Sequence, residues 1–126
     1  MITIDEMQTI LDELAEELPA DFYRYLNGGI ILLPEVHTSP HSSNDDLYIL
    51  GEYHSGGIMG NYISIYYGSF ERLYSYLGEE AIKNELRIVL RHEFRHHMET
   101  MAGEKDLIIE DEKYIKNYLS KKNNQK

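Results

Sequence analysis

Between Arg91 and Asp106 the chain reads RHEFRHHMETMAGEKD, and half of its six histidines stand there. His92, Glu93 and His96 fit the pattern H-E-x-x-H. On a helix, positions i and i+4 differ by about 40° in direction and about 6 Å along the axis, so two imidazoles so placed can converge on one ion. A Glu one residue after the first His projects beside them. There it can take a proton from water whose pKa a zinc ion has lowered toward ~7. His92 and His96 are therefore candidate metal ligands and Glu93 a candidate general base. The competing reading is a solvated helix face that is merely rich in histidine.

A metal of this kind needs a third ligand. Asp106 follows Gly103 at G-x-x-D, and a left-handed Gly103 would let the chain turn back toward the two histidines. Asp106 is the preferred third ligand on that ground. Glu99 is the rival: it shares a face with His92 and His96. It stands about 10.5 Å from His92 along the axis, although helical side chains lean toward the N-terminus and shorten the reach. His97 lies about 100° around the helix from His96 and so faces elsewhere, in a structural or supporting role. His37, His41 and His54 fall in polar or Gly-rich stretches and read as solvated loop histidines. Arg91 and Arg95 read as partners of nearby acids.

The motif needs a helix to mean anything. Ile82, Leu86, Val89 and Leu90 supply the apolar period of one that runs from about Glu79 to Ala102, with Gly103 as its stop. Earlier in the chain, Thr3 and Glu6 form a capping-box pattern. Ile4, Met7, Leu11, Leu14 and Leu18 then make a helical stripe that Pro19 ends. A short helix is expected over Ala20–Leu26. Strands are expected at Ile30–Leu33, Leu47–Tyr53 and Asn61–Tyr67, with HSGGIMG as a turn. Helices over Phe70–Leu77 and about Glu110–Ser120 complete an α+β order, with strands early and helices late.

With 126 residues the chain reads as one domain over 1–120, followed by a disordered tail over 121–126. There is no Cys, so any metal must be held by imidazole nitrogen and carboxylate oxygen. Zn²⁺ suits that set, and other divalent metals remain open. A net charge of −10 leaves no basic stripe for phosphates, so nucleic acid is not an expected partner. No run approaches the length of a membrane span, and the first residues lack the features of a signal peptide, so the expected location is cytoplasmic.

The segments LPADFYRYLNGGIILLPE, LYILGEY, NYISIYYGSFERL and LRIVLRHEFRHHMETMAGEKDL together resemble small bacterial metallopeptidase-like proteins with a minimal zincin, or matrix-metalloprotease-like, domain. The resemblance spans about Met7 to Tyr118. It implies a compact zincin-like α+β fold with a small, mostly antiparallel sheet. The active-site helix would carry His92 and His96 as ligands and Glu93 as base. It also implies that an edge strand above that helix pairs with an extended peptide or protein substrate, with NYISIYY as the candidate. The family pattern is H-E-x-x-H-x-x-G-x-x-D. Here Glu99 stands at the Gly position and Ala102 at the Asp position, while a G-x-x-D follows four residues later as Gly103 and Asp106. That is about one extra helical turn, or ~6 Å along the axis, and it keeps both Asp106 and Glu99 open as third ligand. The expected function is zinc-dependent peptide-bond hydrolysis. The alternative is a non-catalytic metal-binding or protein-interaction module derived from such a domain.

Overall fold

In a computed structural model, residues 1–41, 47–103 and 118–119 are described. Helix α1 spans Ile4–Glu16, strand β1 Gly29–Leu33, β2 Gly51–Gly57, β3 Gly60–Tyr66, α2 Tyr67–Tyr74 and α3 Glu79–Gly103. Over these elements the described residues form an α+β fold, with three named helices and one small mixed sheet.

The capping box closes α1 as its sequence dictates. The Thr3 backbone N–H donates to Glu6 Oε1 at 2.8 Å, and the Glu6 N–H donates to Thr3 Oγ1 at 3.1 Å. Met7, Ile10, Leu11 and Leu14 form its buried stripe. The helix stops before Pro19, whose ring disfavours helical geometry in the residue ahead of it. The helix expected over Ala20–Leu26 shrinks to one 3₁₀ turn, Ala20–Tyr23. Tyr25 takes a φ of 65°, which no helix continues through.

The sheet differs from the mostly antiparallel one expected. Its order is β1-β3-β2, with β1 parallel and β2 antiparallel to β3. Period-2 patterning identifies strands but not their neighbours; pairing is a tertiary choice. β2 also runs further than expected. HSGG belongs to the strand, which bulges between His54 and Gly57, and only Ile58 and Met59 make the turn. Of the expected Leu47–Tyr53 strand, the first residues pair instead with the segment before them: Ser39 N–H donates to the Leu47 carbonyl and Ile49 N–H to that of His37.

Strand alternation splits β3 between two faces. Ile63 and Ile65 are fully buried against the helices, joined by Phe70, Leu86, Leu90 and Phe94. Ser64 and Tyr66 occupy the opposite face. In α3 the buried positions are Ile82, Leu86, Leu90, Glu93, Phe94, His97, Met98 and Met101, a 3.6-residue stripe. That stripe turns Glu93 and His97 inward and leaves His92 and His96 exposed. Lys83 to Glu13 and Arg87 to Glu17, each at 2.9 Å, fasten α3 across α1. Of the helix expected near Glu110–Ser120, only Tyr118 and Leu119 lie among the described residues. Both are helical, and Tyr118 packs edge-on to Phe22. The 121–126 tail lies outside the described residues.

Candidate functional site

The two motif histidines meet. Their Nε2 atoms are 3.0 Å apart, with ring planes at 88°. Two nitrogens bound tetrahedrally to one zinc ion at ~2.05 Å would be about 3.3 Å apart, so this spacing fits a shared ion. The donor type fits as well, since both imidazoles are solvent-facing.

Glu93 is only 6 % exposed despite its charge. Burial pushes its carboxyl above the ordinary range. His92 and His96 oppose that, Glu52 adds to it, and a hydrogen bond from the Tyr53 backbone N–H opposes it again. The stripe that buries Phe94 is what carries Glu93 inward beside two exposed histidines. A desolvated carboxylate of raised pKa next to such donors has the properties of a proton acceptor poised nearer neutrality.

Two hollows flank Glu93 where β2 and the residues before it lie over α3. On the His92 side the walls are apolar: Tyr48, Ile49, Leu50, Ile88 and Val89. On the His96 side they are Glu52, Tyr53 and Thr100, with Ile49 and Gly51 shared between the two. Gly51 allows the close approach. A Cβ there would lie 2.7 Å from Val89 Cγ1 and 3.1 Å from Ile65 Cδ1.

Of the two third-ligand candidates, only Glu99 lies among the described residues, and it is not brought to the pair. Glu99 turns to Arg95, with Nε to Oε1 at 3.1 Å. Asp106 lies outside the described residues. Among the described residues no group of three or more His, Cys, Asp or Glu side chains could hold an ion. Among the described residues His92 and His96 thus present two neighbouring imidazole nitrogens without a third donor. Arg91 pairs with Glu17 at 3.8 Å, in line with expectation.

Two expectations need correction. NYISIYY is the central strand, already paired along both edges, so it cannot accept a substrate strand; the strand bordering the hollows is β2. His54 is not a loop histidine. It sits in β2, stacked on Tyr62 at 4.3 Å, with Nε2 2.8 Å from Ser64 Oγ and 3.4 Å from Glu52. His37 does lie in a loop with its side chain 38 % exposed, tilted over Tyr66 at 4.7 Å and 3.6 Å from Glu52. His97 is structural, as expected. It is 1 % exposed, Nδ1 faces the Tyr53 hydroxyl at 2.7 Å, and Nε2 faces the Arg24 carbonyl at 2.7 Å. Burial holds its pKa below the usual imidazole range, so the ring is neutral near pH 7. Nε2 then carries the proton given to the Arg24 carbonyl, and Nδ1 accepts from Tyr53.

Sequence reasoning passed over Gly51, Glu52 and Tyr53, treating them only as strand. The alternation would have placed Tyr53 on the face opposite Glu52, but nothing in the order of residues says which face meets α3.

No family model and no curated protein matches the chain. Among solved structures it is similar to a conserved hypothetical protein from T. thermophilus. The identity is 31 % and the TM-score 0.71, over 80 % of this chain and 98 % of that one. No helix among the described residues is long and apolar enough to cross a membrane.

Proposed function

We propose that this chain, which belongs to the same family as the T. thermophilus protein, is a zinc-dependent metallopeptidase of compact zincin-like design. One observation carries the reading: two exposed imidazoles with Nε2 atoms 3.0 Å apart, beside a buried carboxylate, under an edge strand. His92 and His96 would hold the ion, with Asp106 or Glu99 as the third ligand. When bound, zinc supplies Lewis acidity, polarising a carbonyl and making water a stronger acid.

The chain's own groups do the rest. Glu93 accepts the proton of the attacking water and returns it to the leaving amine, a role worth roughly 10²–10⁴ in rate. The Tyr53 N–H engages the Glu93 carboxylate and fixes where that base points. β2 lies at the edge of the sheet, so its outer side can bind a substrate in extended form by main-chain hydrogen bonds. The apolar hollow of Ile49, Leu50, Ile88 and Val89 suits an aliphatic or aromatic side chain next to the scissile bond.

The test is elemental analysis of the purified protein beside His96→Ala, followed by a peptide library screened with wild type and Glu93→Gln. About one zinc per chain, absent from His96→Ala, with cleavage that Glu93→Gln lacks, is the expected result. Zinc without cleavage of any peptide favours the non-catalytic metal-binding module. No zinc in either protein after zinc is supplied removes both.

A further inference from the structure

His97 joins three parts of the fold that are distant in sequence. It stands on α3, its Nδ1 meets the hydroxyl of Tyr53 on β2, and its Nε2 meets the carbonyl of Arg24 just after the 3₁₀ turn. Both bonds are 2.7 Å and the ring is 1 % exposed. Tyr53 is bound twice. Its hydroxyl reaches His97, while its backbone N–H reaches the carboxylate of Glu93, one helical turn before His97. Tyr53 and His97 rings also contact at 5.3 Å between centroids. The edge strand is therefore held to the helix at two points four residues apart, and one of them is the base itself.

We infer that His97 and Tyr53 are positioning residues. The buried imidazole clamps the Tyr53 side chain, and that clamp keeps the Tyr53 N–H on Glu93 and sets the width of the cleft between β2 and α3. Their positioning role rests on the metallopeptidase reading; the clamp itself does not. Loss of the Tyr53 hydroxyl leaves the buried His97 Nδ1 unmatched, which costs more than the bond alone is worth. The strain falls on the strand at the site, because Tyr53 lies on the strand bordering the cleft while Ile63 and Ile65 lie in the centre of the sheet.

The experiment is residue-resolved amide hydrogen exchange on wild type, Tyr53→Phe and His97→Gln. Phe keeps the ring and the backbone N–H. Gln keeps a donor for Arg24 but removes the ring acceptor. We expect the amide of residue 53 to exchange about ten-fold faster in each variant, with those of Ile63 and Ile65 changed several-fold less. An unchanged rate at residue 53 overturns the inference. So does equal acceleration at all three amides, which is general loosening. If His97→Gln fails to fold, Tyr53→Phe alone decides. In hydrolysis, Tyr53→Phe lowers kcat with KM nearly kept; a rise in KM alone also overturns the positioning role. Absence of zinc from wild type would sink the metallopeptidase reading while leaving the exchange result interpretable.

Discussion

The chain has two pairs of histidines beside a glutamate, and they are built in opposite ways. On the face of the sheet that carries Ser64 and Tyr66, His37 and His54 flank Glu52, whose carboxylate also accepts from the Tyr66 hydroxyl at 3.0 Å. His54 is stacked, hydrogen-bonded and set within a strand. Glu52 stays partly solvated, with 36 % of its side chain exposed. On α3, His92 and His96 hydrogen-bond only to each other among the described residues, while Glu93 is buried. In the first group the Nε2 of each histidine already faces a neighbour, Glu52 for His37 and Ser64 with Glu52 for His54. The second has exposed donors and a desolvated acid. Composition alone would rank them equal; what separates them is how far the surrounding residues already satisfy them.

The sharpest way to break this contrast is to exchange the histidines for alanine in both places. His92→Ala and His96→Ala should each weaken zinc binding by at least about 100-fold and remove hydrolysis, whereas His37→Ala and His54→Ala should retain about one zinc per chain. Competition titration with a chromogenic chelator measures this. Zinc lost equally from both sets would mean that the two regions do not differ as described.

Glu93→Gln should come next in size. It should retain zinc while the hydrolysis rate falls about 10²–10⁴-fold, and Glu52→Gln should fall far less. Steady-state kinetics on one cleaved peptide compares the two glutamates directly.

Gly51→Val tests the close approach that makes the α3 site. Its side chain would meet Val89 and Ile65 at once. The expected loss is about 1–3 kcal/mol, or roughly 4–12 °C in Tm, read by thermal unfolding. A Tm unchanged within a degree would mean that strand and helix separate without cost.

The smallest effect is in pH. Burial raises the folded pKa of Glu93 above the ordinary 4.5. The native state then binds its proton more tightly than the unfolded state does. Its contribution to stability is fully present below 4.5 and is lost as pH rises through the folded value. Metal-free Glu93→Gln, which ionises at no pH, should therefore melt above wild type at pH 7, with the gap closing as pH falls toward 4.5. Melting curves from pH 4 to 8 check it; a gap that widens on acidification would contradict the burial of the carboxylate.

Much of this was legible in the residues. Ile82, Leu86 and Leu90 carry the period that places α3 within one residue of its observed end, and the Thr3–Glu6 box fixes where α1 begins. The pairing of His92 with His96 follows from helix geometry alone. The sheet was less legible. Nothing local to Ile30–Leu33 says that it will run parallel beside β3, and the glycines of HSGG resemble a turn although a bulge lets the strand continue through them. The supports of Glu93 were hidden for the same reason. Tyr53 meets His97 only after β2 has been laid across α3, and no spacing in the chain announces that.

The clamp on His97 also bears on how the molecule comes into being. Its two hydrogen bonds bridge 44 and 73 residues of chain. Contacts of such separation close late, because a large loop must lose its freedom before they return anything. The turn between β2 and β3, by contrast, can form almost as soon as both strands exist. The cleft is thus among the last features to be completed, and a chain still emerging from synthesis, with α3 unmade, has the strand but not the base.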